Sequence, residues 1–220
     1  MFFVIVNYYF IMLTYRNVNL YNDIIYNISL MWGIIMKIKD ITYVALFAAV
    51  MGVLGLIPPI MLTFTPVPIT LQTLGVILAG GILGARLGAL SQIVFLLIVA
   101  AGMPLLSGGR GGLGVFVGPS AGYLFSYPIV AFCIGYILSR VRTLSLKHVL
   151  ATNLTVGIFL LYIFGVPAQA FVMNLDIVDV IKMSTVYLPG DILKALLASF
   201  VVYKLRKNPA FNRMISKSAA

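Results

Sequence analysis

Asp191 and Lys194 stand three residues apart in Leu188-Pro-Gly-Asp191-Ile-Leu-Lys194-Ala, inside an otherwise apolar run. Pro189 suits the first turn of a helix. Asp191 then falls where the helix dipole favours a carboxylate, and Lys194 follows on the same face. An opposite-charge pair set in apolar surroundings can grip a polar ligand by one acceptor and one donor; the alternative is an ion pair that only steadies the helix start. A second group is Leu106-Ser-Gly-Gly-Arg110-Gly111-Gly112, followed by Gly118-Pro-Ser-Ala-Gly-Tyr123. Glycines such as Gly111 and Gly112 let backbone amides approach a ligand and form an anion-binding concavity. Arg110 suits a carboxylate, and Tyr123 adds a phenol. The bland alternative is a flexible loop with tight helix packing. A third group runs from Pro59 to Gln72, where three prolines stiffen the chain and Thr63, Thr65, Thr70 and Gln72 offer hydrogen-bonding groups. It reads either as a cap over a pocket or as an ordinary turn.

This is chemistry for holding a ligand. Bond-breaking needs a nucleophile and base, or a metal. The chain has one Cys, Cys133, and one His, His148, too few for a metal cluster or a disulfide. No G-x-x-x-x-G-K-[ST] run is present, so ATP is not expected to be used by this chain. The expectation is a non-enzyme without a cofactor.

The elements that must position these residues lie in lipid. Apolar types make up 62% of the 220 residues and charged types 9%, against about 25% charged in soluble domains; mean hydropathy is +1.10. So few charges cannot coat a water-facing surface, and a bilayer is the solvent that fits. The apolar runs predict an all-α polytopic membrane protein with six transmembrane helices, at about 41–57, 69–83, 87–102, 117–138, 149–166 and 189–203. Pro58, Pro104 and Pro167 are read as stops. Several runs fall short of the about 20 residues a span needs, so they require interfacial extensions or border protein instead of lipid.

Net charge is +10, from 15 Lys+Arg and five Asp. In a soluble protein that excess would suggest nucleic acid; here it reads as topology. With the Met36 end in the cytoplasm, eleven basic residues fall inside (Lys37, Lys39, Arg86, Arg140, Arg142, Lys147, Lys204, Arg206, Lys207, Arg213, Lys217) and only Arg110 and Lys182 outside. Both termini are therefore expected to be cytoplasmic. Between the last two spans, Asp176, Asp179 and Lys182 recur every three residues beside Leu175, Val178 and Ile181, the pattern of a short amphipathic helix on the outer interface.

Small residues pair at i,i+4 in the first span, Ala45 with Ala49 and Ala48 with Gly52. They suit close helix packing, either internal or with a partner subunit. Residues 1–35 hold five Asn and five Tyr, a different composition from the rest. They are expected to be a non-native or disordered extension, with Met36 as the natural start. Residues 36–207 form the membrane domain and 208–220 a basic cytoplasmic tail.

The order Pro66-Val-Pro-Ile-Thr-Leu-Gln72, Pro104-Leu-Leu-Ser-Gly-Gly-Arg-Gly-Gly112, Gly118-Pro-Ser-Ala-Gly-Tyr123, Pro189-Gly-Asp-Ile-Leu-Lys194 resembles the BioY family, the biotin-specific S components of energy-coupling-factor (ECF) transporters. The resemblance covers about 37–204. It implies six helices, a biotin pocket open to the outside, biotin contacts at Asp191 and Lys194, and contact of Ala45 and Ala49 with the coupling transmembrane subunit. It also implies two partner ATPase subunits and a place in the bacterial cytoplasmic membrane. For Arg110, Gln72 and Tyr123 the ligand role rests on local chemistry. The other readings are an S component for another vitamin and a stand-alone secondary transporter, which would need a coupling-ion site and often internal repeats.

Overall fold

The computed structural model describes residues 37–141 and 143–209; the expectations for residues 1–35 and for the tail beyond 209 lie outside them. The helices are α1 (Ile38–Gly55), α2 (Gln72–Leu83), α3 (Ala85–Ala100), α4 (Ala121–Arg140), α5 (Leu146–Met173), α6 (Ile177–Thr185) and α7 (Leu188–Lys207). Six of them fall on the six apolar runs; α6 is the short amphipathic piece.

Length sorts them. α1, α4 and α5 are long and apolar enough to cross a membrane, and α6 with α7, bent by 56° at their junction, qualify together. α2 has 12 residues, about 18 Å at 1.5 Å per residue, too short for a core of about 30 Å. It does not need to face lipid, because it is buried on nearly every side by α1, α3, α4 and α7. Glycine permits that crowding: a Cβ on Gly80 of α2 would strike the backbone of Ala131 in α4. The outward faces of the other helices stay apolar, with Leu46, Val53, Leu97, Phe171 and Phe200 all exposed. Helices apolar all round belong in a bilayer.

Three features depart from the sequence expectation. The segment before α2 is a hairpin, so the described residues are mostly helical but not all-α. β1 (Ile60–Leu62) pairs antiparallel with β2 (Thr65–Ile69), with Leu62 opposite Thr65 and an irregularity before Ile60 meets Ile69. Pro66 and Pro68 lack donors, yet in a two-stranded ribbon each strand has a free edge where a missing N–H costs nothing. Next, Pro167 does not stop α5. The helix runs on to Met173 and ends at Asn174, whose left-handed backbone (φ 51°) caps it. Proline deletes one bond and leaves Ala168, Gln169 and Ala170 free to continue. Last, residues Asn153–Ile158 of α5 form a π-helical turn, which inserts an extra residue into the helix.

Candidate functional site

α7 begins at Leu188 with Pro189 in its first turn, and both Asp191 and Lys194 point into the bundle, 8% and 6% exposed. Lys194 Nζ donates to Asp191 Oδ1 at 2.8 Å and to Thr73 Oγ1 at 3.1 Å. The Tyr162 hydroxyl donates to Asp191 Oδ2 at 2.7 Å. Burial of two charges is costly unless they are paired and hydrogen-bonded; here each carboxylate oxygen has a donor, and an ammonium with three donors keeps one in reserve.

The pair borders a cavity of about 60 Å3. β2 and the residues after it give one wall (Val67, Ile69, Thr70), α2 gives Gln72 and Thr73, and α4 gives Tyr123 and Tyr127. Arg110 and Leu106 close it from the glycine loop, and Tyr187 from the α6–α7 turn. Ligand pockets for small molecules run to about 300–1,000 Å3, so entry of a vitamin-sized molecule requires part of the lining to shift.

Two local devices hold the walls. Arg110 is aimed by a tight loop in which the backbones of Leu106 and Arg110 exchange hydrogen bonds at 3.0 and 3.2 Å. The turn needs positive φ at Gly108 and Gly109 (80° and 68°), where a side chain is disfavoured. The hairpin is latched by a polar chain. Gln169 Nε2 donates to Thr65 Oγ1 at 3.4 Å, the Thr65 and Tyr187 hydroxyls pair, and the Tyr187 hydroxyl donates to Val67 O at 3.1 Å.

Of the residues singled out from sequence, Asp191, Lys194, Arg110, Gln72 and Tyr123 share this cavity. Gln72 is engaged structurally as well. Its amide donates to Leu105 O at 3.1 Å and Met51 O at 3.4 Å, and its carbonyl accepts from Ser107 N at 3.5 Å, tying the glycine loop to α1 and α2. Gly111 and Gly112 are not in the lining. Gly111 packs on the Met103 backbone, and the Gly112 amide donates to Val99 O at 2.8 Å, so that amide is not free for an anion. Ala45 and Ala49 are on the exposed face of α1, whereas Ala48 and Gly52 are buried, the latter against Leu105. The two small-residue pairs thus separate, one packing internally and one left on the surface. α6 carries Val178 and Ile181 exposed beside the Asp179–Lys182 pair at 3.1 Å, with Val180 buried beneath, and Leu175 is exposed just before it.

Sequence reasoning missed Thr73, Tyr162 and Tyr187. Tyr162 had one visible signal, a hydroxyl alone in the apolar run Phe159-Leu-Leu-Tyr162-Ile-Phe.

Residues 27–210 match the model of the BioY family. The chain is 49% identical over 170 residues to the probable biotin transporter BioY of Bacillus subtilis, covering 77% of this chain and 91% of that protein. It is 34% identical to the biotin transporter BioY of Lactococcus lactis, with 82% and 97% covered. Among solved structures it is similar to the crystal structure of the S-component for biotin from an ECF-type ABC transporter. The TM-score is 0.77 at 34% identity, over 81% of this chain and 96% of that one.

Proposed function

The chain belongs to the BioY family, and from that premise we propose that it captures biotin for uptake across the cytoplasmic membrane, as the substrate-binding subunit of an ECF-type importer. The observation that carries the reading at the level of residues is the buried Asp191–Lys194 pair on a cavity that also receives Arg110. Biotin presents a ureido ring with N–H donors and a carbonyl, an apolar body and a carboxylate. Asp191 accepts a ureido N–H, Lys194 donates to the ureido carbonyl, and Arg110 holds the carboxylate. Tyr123 supports the apolar body, and Gln72, Gly111 and Gly112 keep the glycine loop against the ligand.

In the same reading six helices span the membrane, with both termini in the cytoplasm. The eleven-to-two distribution of basic residues supports that orientation, and the burial of α2 inside the bundle accounts for a short span. Transport energy comes from partners: a coupling transmembrane subunit and two ATPase subunits, with ATP handled by them alone. Equilibrium binding of radiolabelled biotin to the detergent-purified protein tests the ligand. Saturable binding, not displaced by other vitamins, is expected; a folded protein that binds none overturns the assignment.

Ala45 and Ala49 are the surface on which the coupling subunit sits. Their exposure on an apolar face of α1 supports this, since small residues let helices approach closely. Ala45→Leu with Ala49→Leu should leave biotin binding intact while uptake by the assembled transporter falls about tenfold or more, the equivalent of about 1.4 kcal/mol of lost coupling. Loss of binding together with uptake would count against a docking role.

A further inference from the structure

Tyr162 stands outside the cavity lining, yet its hydroxyl reaches the carboxylate that borders the cavity, 2.7 Å from Asp191 Oδ2. Its ring meets Tyr123 edge-on, with centroids 6.3 Å apart at 84°. Tyr123 in turn seats its ring on Gly165, where any Cβ would collide with it. On its other side Tyr162 lines an apolar groove with Leu154, Phe159 and Leu188. The phenol is thus a partition between that groove and the charge pair.

Asp191 has two oxygens to place. Lys194 fixes Oδ1 from one turn along α7. Without a second donor the carboxylate could swing about its χ2, a broad torsion for this side chain, and present either oxygen at varying angles. Tyr162 supplies that second donor from a different helix. It is turned toward α7 by the π segment at Asn153–Ile158, one turn earlier. Its neighbours Leu161, buried, and Ile163, exposed, are apolar and could not serve.

We propose that Tyr162 is a positioning residue for biotin: its hydroxyl holds the Asp191 carboxylate in the rotation at which the carboxylate accepts the ureido N–H. The proposal rests on the biotin reading above. Tyr162 does not touch the ligand; it acts through Asp191.

The test is Tyr162→Phe, which keeps the ring and removes one oxygen, beside wild type and Tyr136→Phe. The last removes a hydroxyl that accepts from Arg140 at 2.9 Å on an exposed face, away from the cavity. Biotin affinity and dissociation rate are measured in detergent. The Asp carboxylate stretch is recorded by infrared difference spectroscopy with carbon-13-labelled aspartate, the Asp191 band being assigned by its loss in Asp191→Asn. Tyr162→Phe should bind biotin roughly tenfold more weakly, as expected for a lost hydrogen bond to a charged group. Most of the change should be in dissociation, with the Asp191 band shifted in the ligand-free protein. Tyr136→Phe should match wild type in both readings. Affinity of Tyr162→Phe within twofold of wild type overturns the proposal. So does weakened affinity with an unmoved band, which would assign the effect to ring packing. If the wild type itself binds no biotin, the functional reading fails first and takes the proposal with it, a result the wild-type arm alone reveals.

Discussion

Lys194→Ala should lose biotin capture by at least about 100-fold and, separately, destabilise the protein. The two losses have one cause. Asp191 and Lys194 are buried together, and deleting one member leaves the other charged, desolvated and short of a partner, which costs about 3–5 kcal/mol. Tyr162 remains on Oδ2 but carries no charge. A second variant separates folding from recognition. Asp191→Leu combined with Lys194→Met removes both charges, and apolar replacement of a buried pair is close to neutral for stability. The double variant should therefore unfold near the wild-type temperature and still bind no biotin. A double variant that binds biotin normally would remove the pair from the site; one that is no more stable than Lys194→Ala would show that burial of charge was not the source of the defect.

Gly80→Val should prevent recovery of folded protein. α2 is hemmed in by four helices, and at Gly80 the obstacle is the backbone of Ala131, which cannot rotate away as a side chain can. Overpacking a core by a few methyl groups costs about 1–3 kcal/mol when side chains can yield; here α2 and α4 must separate, so the cost lies at or above the top of that range. Size-exclusion profiles and thermal unfolding in detergent read the result. Gly114→Ala, at a position with open space around it and ordinary φ, is the control and should behave as wild type. A monodisperse Gly80→Val with an unchanged unfolding temperature would mean that the α2–α4 contact is looser than described.

Much of this architecture was legible in the chain because lipid demands apolar runs, and six of the described helices, long and short, lie where those runs are. What was hidden depends on contacts distant in sequence. Pro66 and Pro68 suggested an irregular loop; that they tolerate a ribbon depends on β1 arriving alongside, which no local pattern announces. Pro167 looked like a terminator because proline breaks isolated helices, whereas α5 is held on both sides of it by packing against α4 and α6. The Asp191–Lys194 pair was readable, being local at i,i+3. Thr73 and Tyr162, its other partners, are 121 and 29 residues away. The two small-residue pairs of α1 looked equivalent until burial distinguished them, since both satisfy the same spacing.

The π turn in α5 leaves the helix with two phases. One extra residue offsets everything beyond it by about 100°, the angle per residue of an α-helix. Before the turn, the buried face carries Val149 and Thr152; the turn itself opens at Asn153, whose side-chain amide donates to Ser199 of α7 at 2.9 Å; after it, the buried face carries Leu161, Gly165 and Gln169. A helical wheel drawn with a single phase through Leu146–Met173 would therefore misassign the second half, sending residues chosen for lipid toward the bundle interior and the reverse. The two halves are separately indexed. The first is keyed to α7 deep in the bundle and the second to the cavity wall, so either can be redesigned without rotating the other.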